Sequence, residues 1–165
     1  MTVKTWFAIA AQALLMLVGL VSPLAVMTTG TTAFLETAPV DPRALFRGDY
    51  VTLGYAVGEG ILTEKMATEA LETGEPVYVT VTTDRPARFV AVELGRPELE
   101  PGQVCLIGRV RRIGPQGAVD FPQIAQYFVA EGEGREIERR VGEDLLAEIK
   151  VTPRCNAVLV GLEAR

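Results

Sequence analysis

The sequence predicts a mainly β protein, a β-rich α+β fold in which a single N-terminal transmembrane helix precedes one antiparallel β domain carrying two short helices. Three observations lead there. No charged residue occurs from Thr5 to Leu35. Beyond that stretch the apolar residues recur mostly at every second position. Clusters of Gly, Pro and Asn cut the alternation into short segments, as strands joined by turns require.

Taken in order, residues 1–5 form a short tail and residues 6–28 the membrane anchor. "WFAIAAQALLMLVGLVSPLAVM" (Trp6 to Met27) is apolar apart from Gln12 and Ser22. About 20 helical residues cross a bilayer core of roughly 30 Å, so the run is long enough. A signal peptide has a shorter apolar region, about 7 to 15 residues, before a small-x-small cleavage site. "TTA" (Thr31 to Ala33) offers such a site, so a cleaved signal peptide is the competing reading. A buried core helix would have to hide every face of this run inside a small domain. Lys4 lies on the short side, while Glu36 and Asp41 lead the long side with Arg43 and Arg47 close behind, and a long domain is translocated largely regardless of its own charge. This places the N-terminus in the cytoplasm and the long domain outside it.

Residues 29–42, "TGTTAFLETAPVDP", carry small residues and prolines and read as a linker. The domain proper is predicted over 43–165. In "YVTLGYAV" the residues Val51, Leu53, Tyr55 and Val57 share one face, fit for burial, and Tyr50 points to the other. "VYVTVTT" (Val77 to Thr83) alternates likewise, and "TDRP" turns it toward "ARFVAVEL" as a hairpin. "QVCLIGRVRRI", "AQYFVA", "LLAEIKV" and "AVLVGL" continue the series, giving at least seven strands. The two helices are expected at "TEKMATEALETG", with Thr63 as N-cap and Gly74 as stop, and at "GREIERRVG", with Ile137 and Val141 one turn apart.

Inventory excludes several chemistries. The chain has no histidine, and its only serine, Ser22, lies in the apolar run. A Ser-His-Asp triad, a Cys-His dyad and histidine-ligated zinc are therefore ruled out. No catalytic residue, metal site or cofactor is assigned. The 21 acids could still offer a carboxylate pair, but the sequence does not select one, and "EGEGREIE" (Glu131 to Glu138) reads as solvated charge lacking the spacing of a calcium loop. Of the 16 basic residues only Lys4 precedes Glu36, so the remainder carries 15 basic against 21 acidic residues, a formal charge of −6. Nucleic acid is not an expected partner for such a domain. "RVRR" (Arg109 to Arg112) reads as a solvated strand whose arginines divide between two faces.

Cys105 and Cys155 are the only cysteines. In an oxidising compartment an even pair suggests a disulfide, the alternative being two buried thiols. CxxC spacing, and with it a thioredoxin-type role, is absent.

Gly48-Asp49-Tyr50-Val51-Thr52-Leu53-Gly54-Tyr55 fits the pattern GDYxxLxY at every specified position, and the chain resembles the bacterial family named after it. The resemblance extends upstream through "DPR" (Asp41 to Arg43) and Arg47. Downstream it takes in "QYFVAEGEGREIE" (Gln126 to Glu138), which is similar to the family's second block and includes Tyr127, Phe128 and Gly132. Where the family usually reads yGIeqYFV, this chain has "FPQIAQYFV", with Pro122 and Gln123 at the approach to the strand. The resemblance implies a membrane-anchored protein similar to ones encoded or fused beside multi-pass membrane proteins.

Physical chemistry accounts for part of the motif by folding alone. Gly48 permits a turn, Asp49 can bond the backbone at a strand start, and Leu53 and Tyr55 fill one face of a sheet. Arg47, Asp49 and Tyr50 form the candidate binding surface, since aromatic and charged residues together are also how interfaces look. The expected function is an anchored extracytoplasmic accessory module, held in the lipid bilayer by its helix beside a multi-pass membrane partner. A carboxylate-dependent hydrolase and a small-ligand-binding β domain are the alternatives.

Overall fold

The computed structural model describes residues 3–38, 50–62, 71–113, 117–129, 137, 140–141 and 145–165. Among the described residues one long helix, α1 (Val3–Thr29), precedes eleven strands: β1 (Thr31–Ala38), β2 (Tyr50–Thr52), β3 (Gly54–Tyr55), β4 (Glu59–Leu62), β5 (Pro76–Thr82), β6 (Phe89–Glu93), β7 (Gln103–Arg112), β8 (Gly117–Asp120), β9 (Gln126–Phe128), β10 (Leu145–Val151) and β11 (Ala157–Ala164). Every described ladder is antiparallel. The mainly β architecture with one N-terminal helix is thus as the sequence predicts.

The strands form a four-stranded sheet in the order β11-β10-β1-β3, a five-stranded sheet in the order β4-β8-β7-β5-β6, and a two-stranded ribbon of β2 and β9. A single turn of 3-10 helix (Ala56–Gly58) carries the chain from β3 in the first sheet to β4 in the second. The passage is tight: a Cβ at Gly58 would run into the Val119 carbonyl on β8, so glycine is needed there. The core gathers Ala33, Leu35, Ala147, Ile149 and Val151 from the first sheet with Val77, Val79, Val81, Leu106 and Val110 from the second. Val77, Val79 and Val81 are fully buried, as their alternation requires.

The segment read as a linker is corrected by the structure. Thr31–Ala38 is strand β1, and it lies between β10 and β3. Ala33, Leu35 and Thr37 are buried while Thr32, Phe34 and Glu36 are partly exposed, so the segment has strand periodicity. Its threonines, read as linker composition, are β-branched and suit a pleated strand. Only Gly30 separates α1 from β1.

The single strand foreseen over Tyr50–Val57 is divided: β2 pairs with β9, and β3 pairs with β1. Val51, Leu53, Tyr55 and Val57 are nonetheless all buried. The hairpin across "TDRP" is present as β5 and β6. Residues 63–70 of the first predicted helix lie outside the described residues. At the second, the Val141 amide donates to the Ile137 carbonyl at 3.0 Å, the spacing of one α-turn.

At the far end of the first sheet, α1 meets the domain directly. Val26 is buried against it while Leu24, Ala25, Met27 and Thr28 remain exposed. The Lys150 ammonium donates to the Met27 carbonyl at 2.6 Å. A cation there satisfies one of the carbonyls that a helix end leaves open and complements the helix dipole.

Candidate functional site

The residues that carry the sequence motif converge with those of its downstream block. Tyr50 pairs with Phe128, Val51 with Tyr127 and Thr52 with Gln126 across the β2–β9 ribbon. The Leu53 amide then donates to the Ala125 carbonyl at 2.8 Å. Tyr55 closes the unit: its hydroxyl donates to the Ile124 carbonyl at 2.6 Å, and its ring stands edge-on to Phe121 with centroids 6.0 Å apart. Two stretches some seventy residues apart in sequence are therefore one structural unit.

Burial explains which motif positions do this. Val51, Leu53 and Tyr55 are each under 5% exposed, and Tyr127 packs partly buried against the same core. Burial also pushes the Tyr55 phenol far above its ordinary value, so the group stays a neutral donor to Ile124. Phe128 is 75% exposed on the other face of the ribbon. Pro122 and Gln123, where the chain departs from the usual block, lie in the turn before β9, which begins at Gln126. Gln123 has a task there, its side-chain oxygen accepting from the Ala157 amide at 2.7 Å at the start of β11.

Arg47, Gly48 and Asp49, three of the residues assigned to the motif and its candidate surface, lie outside the described residues, as does Gly132. Tyr50 is placed by its backbone, at the start of β2 and opposite Phe128. The structure thus brings the Leu53 and Tyr55 half of the motif to the downstream block, and Tyr50 to its edge.

The family model for the GDYXXLXY protein matches residues 12–162. The chain belongs to the GDYXXLXY family. The match begins inside α1 and ends inside β11, so it takes in both sheets and the ribbon that joins the motif to its second block. Comparisons with curated proteins and with solved structures return no match.

In this GDYXXLXY protein Cys105 and Cys155 form a disulfide, with Cα atoms 4.8 Å apart and both residues fully buried. Cys105 is on β7 of the five-stranded sheet and Cys155 in the turn between β10 and β11 of the four-stranded one, so the bond ties the two sheets together. Cys155 has φ of 64°, a left-handed conformation that is costly for a residue with a side chain. Its amide donates to the Thr152 carbonyl at 2.9 Å, and the bridge holds it there.

Two of the arginines of "RVRR" are engaged by neighbouring strands and turns. Arg109 donates to the Gly74 carbonyl at 2.9 Å, and Arg111 pairs with Glu59 and, at 3.2 Å, with Asp120. On the outer face of the first sheet Arg85 lies 4.3 Å over the Phe34 ring and bonds Glu163 at 2.7 Å, while Arg165 bonds Glu36 at 3.0 Å. Among the described residues no three potential metal ligands gather. An open depression is lined by Glu72, Thr73, Gly74 and Glu75.

Proposed function

We propose that this chain is a membrane-anchored accessory module, spanning the bacterial inner membrane once with its N-terminus in the cytoplasm and holding its β domain outside beside a multi-pass membrane partner. The observation that carries the reading is the join between α1 and the core. The helix is long and apolar enough to cross a membrane, and it passes through Gly30 alone into β1. Cleavage after Ala33 would cut β1 within its ladder to β10, between Ala33 opposite Ile149 and Phe34 opposite Glu148. That geometry favours a retained anchor over a leader. A disulfide between the sheets suits an oxidising compartment.

The module's contact with its partner is assigned to Arg47, Asp49 and Tyr50. The second half of the motif holds the fold, and the first half sets an aromatic beside two charged residues, a composition that interfaces favour. Purification of the full-length chain in mild detergent tests the reading. A stoichiometric multi-pass protein should accompany it, and a reporter fused after Arg165 should be active only outside the cytoplasm. A chain that purifies alone, with activity toward a substrate requiring two carboxylates, would instead support the hydrolase.

A further inference from the structure

Resting on the reading of α1 as a bilayer span, we infer that one face of this helix, carrying Gln12, Leu15 and Gly19, is a docking face for a transmembrane helix of the partner. Gln12, Gly19 and Val26 recur every seven residues, so they lie within a narrow sector of one side of α1, with Leu15 between the first two. Val26 is the end of that line already in use. It is 4% exposed, buried by the domain, while its neighbours around the last turn face outward. The proposed face is therefore continuous with an interface that exists.

Two polar groups on this face are unsatisfied in hydrocarbon. Gln12 is exposed, makes no hydrogen bond to any described residue, and would sit inside a hydrocarbon slab of about 30 Å. A primary amide in lipid seeks a hydrogen-bonding partner on a neighbouring helix. Seven residues beyond Gln12, the Gly19 carbonyl lacks the donor that a helix supplies four positions later, because Pro23 has no N–H. A Cβ built on Gly19 meets nothing within 4 Å, leaving its backbone open to close approach. The partner helix that fits presents a hydroxyl or amide near Gln12 and a donor near Gly19, about 10 Å apart along the axis.

A second copy of this chain is the other occupant to weigh, since glutamine amides can pair with one another. The position of Val26 argues against it. The domain overhangs the same side of α1 as Gln12 and Gly19, so a symmetric parallel pair joined on this face would drive each domain into the other's place. A helix that ends at the membrane surface beneath the overhang meets no such obstacle.

The test uses the full-length chain in native membranes, with a benzophenone-bearing residue at Leu15 on the face or at Leu17 on the opposite side. After irradiation the adducts are sequenced by mass spectrometry. Adducts from position 15 should map to a membrane-spanning peptide of a different protein and exceed those from position 17 about tenfold. Gln12→Leu should lower that yield about tenfold, equivalent to ~1.4 kcal/mol, and Gln12→Asn should keep most of it, with both variants resistant to carbonate extraction. Adducts joining two copies of α1, equal yields from both positions, no adducts, or indifference to Gln12→Leu would each overturn the inference. If a partner still co-purifies in mild detergent in those cases, the accessory reading stands and only the helix face is wrong; if none co-purifies, that reading falls as well.

Discussion

The Tyr55 hydroxyl donates to the Ile124 carbonyl at 2.6 Å, across 69 positions of sequence, and so fastens the GDYxxLxY motif to the turn that precedes its second block. Tyr55→Phe removes the donor and leaves a buried carbonyl unpaired. The expected loss is about 1 to 3 kcal/mol of unfolding free energy, read from denaturant titration. Because burial raises the phenol's pKa above the ordinary 10.0, the folded state holds a proton that the unfolded chain releases. That contribution is complete below about pH 10 and is lost as pH rises toward the folded value. Stability of the parent domain should fall above that pH, and the fall should be smaller in Tyr55→Phe.

Leu53 precedes this bond and is 4% exposed in the core. Leu53→Ala should cost about 2 to 5 kcal/mol as a large-to-small change at a buried site. A loss under about 0.5 kcal/mol, the range of a surface substitution, would remove Leu53 from the account of the fold.

The Cys105–Cys155 bridge closes a separation of 50 residues. In the chain-entropy treatment such a loop is worth about 4 kcal/mol, so a reducing agent should lower the melting temperature of the domain. Cys155 is also held left-handed. With Cys105→Ala as background, Cys155→Gly should be more stable than Cys155→Ala by roughly 1 kcal/mol. Equal stabilities would show that the turn relaxes once the bridge is gone.

Much of the fold is legible in the alternation of side chains, and the remainder is hidden where tertiary context decides. Val77, Val79 and Val81 announce their strand, and Val51, Leu53, Tyr55 and Val57 their buried face. β1 does not, because Thr31, Thr32 and Ala33 follow an apolar run and a glycine and resemble the exit from a bilayer. β4 and β8 are four residues each, too short to carry a hydrophobic pattern. The meeting of Tyr55 with Ile124 is a long-range fact that no local period encodes. Pairing of Cys105 with Cys155 likewise depends on how the two sheets stack.

Arg47, Asp49 and Tyr50 test the recognition half of the motif. Arg47→Ala and Tyr50→Ala are expected to leave the melting temperature unchanged while abolishing co-purification of the membrane partner. Asp49→Ala separates the roles: a turn residue alone would cost about 0.5 to 2 kcal/mol, by analogy with a lost helix cap, with capture in proportion to folded protein. Unchanged stability and unchanged capture in all three would leave neither role standing.

Retention of α1 underlies the proposed role, and the intact mass of the protein recovered from carbonate-washed membranes is its sharpest probe. One species should be found, still containing α1 and resisting extraction, because Gly30 joins that helix to a strand paired with β10. A fragment beginning near Phe34, released in soluble form, would contradict it.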